Sequence, residues 1–128
     1  MSAGYLLDSH AVLWYLGDDS RLSDRVAELI AEPANRVLVS DVTLYELMFK
    51  AGRARLPSHL LRLPELLEAA ALTPTLPISG EAVRLAATLD WAHGDPWDRL
   101  LLAQATLADF ALVSKDLVFD AVSDRRLW

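Results

Sequence analysis

Gly4-Tyr5-Leu6-Leu7-Asp8-Ser9-His10-Ala11-Val12-Leu13-Trp14-Tyr15-Leu16 is the stretch on which the fold turns. Gly4 to Leu7 is a short apolar run closed by the acid Asp8. Behind it Ala11, Val12, Leu13, Tyr15 and Leu16 fall at helical spacing, with Ser9 as the expected N-cap. A strand that feeds a helix through an acidic turn opens an α/β unit. The same order recurs at Arg36 to Ser40, a β-branched run followed by a helix from Val42 to Ala51, capped by Asp41 or Ser40 and closed by Gly52. It recurs again at Phe110 to Ser114, a buried strand followed by Lys115-Asp116, a short helix and a tail ending at Trp128.

Between these units, Ser23 caps a helix from Asp24 to Ala31 that ends at Pro33-Ala34-Asn35. Residues 57–71 read as two short helices kinked at Pro64, and Thr75 to Ile78 as a weak strand. Ser79 caps a helix through about Leu89, and Asp95-Pro96 opens another that runs to Leu107 or Ala108, with proline in its favoured first turn. Strands alternating with helices predict a parallel central sheet covered on both faces, an α/β/α sandwich forming one domain over residues 1–128. In such folds the ligand crevice lies at the carboxyl ends of the strands.

Composition bounds the function. The 128 residues are 53% hydrophobic and 23% charged, enough for one sizeable core and far from the disordered regime. Cysteine is absent, which removes disulfide scaffolds, thiolate zinc sites and cysteine nucleophiles and fits a reducing cytoplasm. No basic run precedes the first apolar stretch, and Asp8 interrupts it too early for a signal peptide or membrane span, so a cytoplasmic protein without a membrane partner is expected. Twelve Lys and Arg against eighteen Asp and Glu give a net charge of −6, which taken alone argues against nucleic acid. That argument fails if several acids are gathered around divalent cations.

Two of the strands end at or near an acid, Asp8 and Asp116, and in a parallel sheet both open onto one edge. Each alone is equally well an N-cap. Glu46 is harder to dismiss, because it stands inside Val42-Thr43-Leu44-Tyr45-Glu46-Leu47-Met48-Phe49, where an ionised carboxylate is expensive unless paired or bound to metal. Asp95 and Asp98 fit the cap and third position of the helix that Pro96 starts, a role that needs no chemistry. Taken together, Asp8, Glu46, Asp98 and Asp116 come from four separated segments and form an all-oxygen donor set of the kind Mg²⁺ or Mn²⁺ prefers. His10, His59 and His93 show no zinc-ligand spacing and read as structural or surface residues.

At these positions the chain resembles a known family. Tyr5-Leu-Leu-Asp8-Ser9-His10, Ser40 to Lys50 around Glu46, His93-Gly-Asp95-Pro96-Trp97-Asp98-Arg99-Leu-Leu-Leu-Ala-Gln-Ala105, and Leu112-Val-Ser-Lys-Asp116 with Phe119-Asp120 are similar to the ordered motifs of PIN-domain nucleases, in particular the VapC-like toxins of bacterial type II toxin-antitoxin modules. Ser9, Trp97 and Lys115 stand where Thr, Phe and Arg are usual. The resemblance implies that Asp8, Glu46, Asp98 and Asp116 are the acidic catalytic and metal-binding positions, with Asp95 and Asp120 beside them. It also implies an endoribonuclease using Mg²⁺ or Mn²⁺, acting on RNA, homodimeric and held by an antitoxin protein. In that chemistry water is the nucleophile and no side chain attacks. Ser9, Ser40 and Thr43 are then the hydroxyls expected to orient carboxylates or water.

Lys50, Arg53, Arg55 and Arg62 form an acid-free cationic stretch between Leu47 and Pro64, either an ordinary solvated face or one whose Lys50, Arg53 and Arg55 meet RNA phosphates, and Arg99 is read as pairing with a neighbouring carboxylate or touching phosphate. Leu60, Leu61, Leu63, Leu66 and Leu67 could line an antitoxin groove. Three other readings remain at this point. A phospho-accepting receiver-like domain also gathers acids at strand ends, although the second strand here ends in Ser40; a haloacid-dehalogenase-type phosphatase would need an acid where His10 stands. A catalytically inactive PIN-type binding domain is the third.

Overall fold

A computed structural model describes residues 4–128. Strands β1 (Gly4–Leu7), β2 (Val37–Val39), β3 (Phe110–Val113) and β4 (Arg126–Leu127) form one all-parallel sheet in the order β2-β1-β3-β4. Helices α1 (Ser9–Leu16) and α2 (Asp24–Ala31) join β1 to β2. After β2 come α3 (Asp41–Gly52), a 3-10 helix (Ser58–Arg62), α4 (Leu63–Ala69), α5 (Gly80–Thr88) and α6 (Pro96–Ala108), and a second 3-10 helix (Leu117–Ala121) follows β3.

Strand register explains the layers. Leu6 pairs with Leu38 and Leu112, whereas Leu7 pairs with Val39 and Val113, and alternate side chains of a strand point to opposite faces. Leu7, Val39 and Val113 pack with Ala11, Val12, Val26, Leu47, Leu63 and Leu67 on one face, and Leu6, Leu38 and Leu112 pack with Leu101, Leu102, Ala105 and Phe119 on the other. The sheet is therefore covered on both sides, an α/β/α sandwich. Gly4 is required where β1 enters it, because a Cβ there would lie 2.9 Å from the Arg36 carbonyl oxygen and 3.1 Å from the Phe110 ring.

Four local expectations need correction. The cap of α1 is Asp8, whose side chain accepts from the Ala11 N–H, while Ser9 is the first helical residue and spends its hydroxyl elsewhere. Gly52 does not close α3 in the left-handed region. The helix runs through it to Arg53, and Ala54 takes the positive φ of 58° instead, as the Arg53 and Arg55 N–H groups close on the last carbonyls. Thr75 to Ile78 forms no strand: Pro74 and Pro77 remove donors on either side, leaving a single parallel bridge between Leu76 and Ser40. Finally, the tail contributes β4, a two-residue edge strand held by Leu112 N–H to Arg125 O at 2.9 Å and Ser114 N–H to Leu127 O at 3.1 Å.

The chain places β2 on one side of β1 and β3 on the other, so a crevice opens between the carboxyl ends of β1 and β3. Asp8 and Asp116 stand at its two sides.

Candidate active site

Asp8, Glu46, Asp95, Asp98 and Asp116 line one cleft of about 210 Å³, together with Ser9, His10 and Lys50. Each acid arrives from a different local cause. Asp8 ends β1, its N–H bonding to the Val113 carbonyl at 3.0 Å, and its side chain caps α1. Asp116 caps the 3-10 helix after β3 by accepting from the Val118 N–H at 3.0 Å. Asp95 caps α6 by accepting from the Asp98 N–H at 3.0 Å, which turns Asp98 inward from the first turn. Glu46 comes from the middle of α3 and is 8% exposed.

The acids are held by named partners. Ser9 donates its hydroxyl proton to Glu46 Oε1, and Lys50 Nζ donates to Glu46 Oε2 at 2.8 Å. His93 Nε2 lies 2.7 Å from Asp98 Oδ2. Ser114, fully buried, accepts from the Asp116 N–H at 3.0 Å, and its hydroxyl favours the charged form of the Asp8 carboxyl. From sequence, Ser114 has no role and His93 reads as a structural or surface residue, whereas here His93 pairs with the cleft acid Asp98. The available signals were the serine two residues before Asp116 and the histidine five before Asp98.

Burial pushes the Asp8 carboxyl above its ordinary range, against the Ser114 and Ala11 hydrogen bonds that favour its charged form, and the charge on Asp116 pushes the same way as burial. Asp98 is raised too, first by desolvation, with Asp95 and Asp116 adding repulsion and His93 opposing it. Partly desolvated carboxylates beside one another favour positive charge among them. The donor set fits a hard divalent cation: oxygens from several elements and no thiol. Among the described residues, ligand atoms of His93, Asp95 and Asp98 already stand within 4.8 Å of one another.

Other residues singled out from sequence lie elsewhere. Ser40 is buried, caps α3 through the Val42 N–H and donates to Gln104 Oε1 at 2.5 Å, a link between α3 and α6 rather than a wall of the cleft. Thr43 is fully buried with no hydrogen-bond partner for its hydroxyl among the described residues, and it too does not line the cleft. Asp120 is exposed and held by Arg126 at 2.9 and 3.0 Å. Arg99, expected at a neighbouring carboxylate or a phosphate, instead donates to the carbonyls of Ala86, Leu89, Trp91 and His93 at 2.7 to 3.0 Å, so its guanidinium is consumed in fixing the segment before α6. Arg53 lies over the Phe49 ring, 4.7 Å from its centroid, and Arg55 is exposed. Beside the cleft Trp97 packs on Tyr45, ring centroids 5.7 Å apart.

Comparison with known proteins agrees with this geometry. The family model described as "PIN domain" matches residues 5–125. The chain is 32% identical over 117 residues to Ribonuclease VapC22 of Mycobacterium tuberculosis, covering 87% of this chain and 85% of that protein. Among solved structures it is similar to the DNA-bound VapBC of Salmonella typhimurium, with a TM-score of 0.75 at 17% identity over 98% of this chain and 96% of that one. It is also similar to VapBC2 of Rickettsia felis bound to a promoter DNA fragment, with a TM-score of 0.72 at 15% identity over 97% and 96%.

Proposed function

The chain belongs to the PIN-domain family, and from that premise we propose that it is an endoribonuclease that hydrolyses RNA phosphodiester bonds with Mg²⁺ or Mn²⁺, the toxin of a type II toxin-antitoxin pair. The observation that carries this reading is the cleft at the carboxyl end of a parallel sheet in which Asp8, Glu46, Asp98 and Asp116 meet from four segments. The ribonuclease relative and the likeness to VapBC structures support it.

Asp8, Glu46, Asp98 and Asp116 would hold the cation, directly or through water. Bound there, it supplies Lewis acidity toward water and charge neutralisation for the phosphoryl oxygens. The protein's part is to keep the donors in place. Ser9 fixes Glu46, His93 fixes Asp98, and Ser114 holds the backbone of Asp116. Asp116 spends Oδ1 on the Val118 N–H, leaving its second oxygen for the cleft. Arg53 and Arg55, exposed beyond the end of Glu46's own helix, would hold RNA phosphates.

The antitoxin has a place to bind. A groove between α1 and the segment from Leu56 to Leu66 is lined by Leu13, Trp14, Leu16, Leu60 and Leu66. Leu63 and Leu67, by contrast, are buried in the core. No helix among the described residues is long and apolar enough to cross a membrane. On this reading, the action on RNA belongs to the cytoplasm and to one nuclease domain spanning the chain. The phospho-accepting alternative is set aside by family membership rather than by strand position, since Asp8 does end an interior strand.

The test is RNA cleavage by the purified chain with Mg²⁺ or Mn²⁺, with and without EDTA, and analysis of the new ends. Attack by water gives 5′-phosphate and 3′-hydroxyl ends. Activity surviving exhaustive chelation, or 2′,3′-cyclic phosphate products, would overturn the mechanism. Growth arrest on expression in a bacterial host, absent for Asp8→Asn and relieved by the cognate antitoxin, tests the toxin role.

A further inference from the structure

Five acids line the cleft and, among the described residues, Lys50 is the one Lys or Arg that lines it with them. Both oxygens of Glu46 are taken: Oε1 by the Ser9 hydroxyl and Oε2 by Lys50 Nζ at 2.8 Å. Lys50 stands one helical turn after Glu46 on α3, and the two side chains differ sharply in exposure, 38% for Lys50 against 10% for Glu46. Glu46 is therefore fixed in the wall, while Lys50 reaches in from the rim on a flexible four-carbon stem.

A divalent cation that takes Glu46 as a ligand cannot share the Oε2 side with an ammonium group 2.8 Å away, because the two like charges repel across a poorly solvated gap. One must leave, and only the lysine is mobile. We infer that Lys50 is an internal stand-in for the cation: it neutralises Glu46 while the cleft is unloaded and is displaced to the rim when a divalent cation binds, where its charge becomes available to an RNA phosphate. The inference rests on the reading of the cleft as a cation site and assigns one residue two successive partners. It also explains how an acid can sit in the middle of an apolar helix without a permanent ligand.

Displacement has two consequences that do not require catalysis. Cation affinity is reduced by the competition, so removing Lys50 should tighten it, and Lys50 should become more reactive when cation binds. The chain has only two lysines, Lys50 and Lys115, so each can be followed separately by mass spectrometry. Wild-type protein is acetylated briefly with an amine-selective ester, with and without saturating Mn²⁺. Acetylation of Lys50 should rise severalfold relative to Lys115. Calorimetric titration with Mn²⁺ should show Lys50→Met binding about five- to tenfold tighter than wild type, the size of a partly buried ion pair. Lys115→Met, which removes an equal charge beside Asp116, should gain clearly less.

Mn²⁺ binding to wild type with unchanged Lys50 acetylation would overturn the displacement while leaving the cation site intact. Equal tightening in Lys50→Met and Lys115→Met would reduce the effect to the general field of the cleft and overturn it as well. Absence of Mn²⁺ binding in every folded variant would overturn the cation reading itself and the inference with it.

Discussion

The Ser9 hydroxyl donates to Glu46 Oε1 across 37 positions of sequence, joining the first residue of α1 to the middle of α3. Ser9 leaves the capping of α1 to Asp8, so the two neighbours divide the work: one carboxylate closes the helix and faces the cleft, and one hydroxyl reaches across to a second carboxylate. Ser9→Ala should then leave α1 capped and cost only about 1 kcal/mol of stability, the net worth of a hydrogen bond. Cleavage should fall roughly tenfold or more, the usual effect of freeing a metal-binding carboxylate from its support. Ser9→Thr keeps the hydroxyl and should restore most of the rate. Rates and melting curves for the three proteins check this, and a rate loss equal in Ala and Thr would remove the positioning role.

Arg99 supplies the opposite case, a cation that belongs to the scaffold. Its four donated hydrogen bonds to the carbonyls of residues 86, 89, 91 and 93 tie the end of α5 and the following turn to the start of α6. Arg99→Ala leaves partly buried carbonyls without donors and should destabilise the fold by roughly 2 to 4 kcal/mol. Arg99→Lys cannot reproduce the planar fork and should recover only part of that. Denaturant unfolding measures the loss. The salt dependence of RNA binding by the folded fraction should not change.

The contrast shows what local sequence carries. β1, β2 and β3 are legible as short apolar runs, as at Leu6-Leu7, and most of the helices between them by a helical period that begins at a capping side chain, as at Ser79 before α5. β4 is not, because Arg126–Leu127 is too short to have a period and exists only by pairing with β3. The acids are legible as strand-end and mid-helix carboxylates, but their partners are not. Nothing near Ser9 announces Glu46, nothing near Ser114 announces Asp8, and the Arg99 guanidinium finds its carbonyls only once α5 and α6 are packed. Asp8 and Ser9 are both good caps, and which of them caps is decided by a contact 37 residues away.

Arg53 and Arg55 lie in the acid-free stretch after Glu46, and among the described residues neither is held by a carboxylate. Replacing both with Ala should weaken RNA binding and flatten its salt dependence by roughly 0.7 in slope for each lost phosphate contact with a single strand. Stability should change little. Fluorescence titration of an RNA oligonucleotide at several salt concentrations decides this, and an unchanged slope would assign both arginines to solvent.

Asp8 offers the sharpest link between stability and function, because Asn can replace it without removing the cap of α1. Burial and the Asp116 charge raise the Asp8 carboxyl in the fold above its value in the unfolded chain, and Asp98 is raised in the same direction. A carboxyl raised by folding binds its proton more tightly in the native state. Its favourable contribution is therefore complete below the unfolded value, near pH 4, and is lost as pH climbs through the raised native value. In EDTA, Asp8→Asn should match wild type near pH 4 and become the more stable protein as pH rises toward neutrality, by roughly 0.5 to 2 kcal/mol. Saturating Mn²⁺ should stabilise wild type by mass action and the variant much less, reversing the order. Cleavage by the variant should be lost. Melting curves across this pH range, with EDTA and with Mn²⁺, test each step: a variant less stable than wild type in EDTA at neutral pH would mean that Asp8 is held by net attraction, and the buried-charge account of the cleft would fail at its most buried acid.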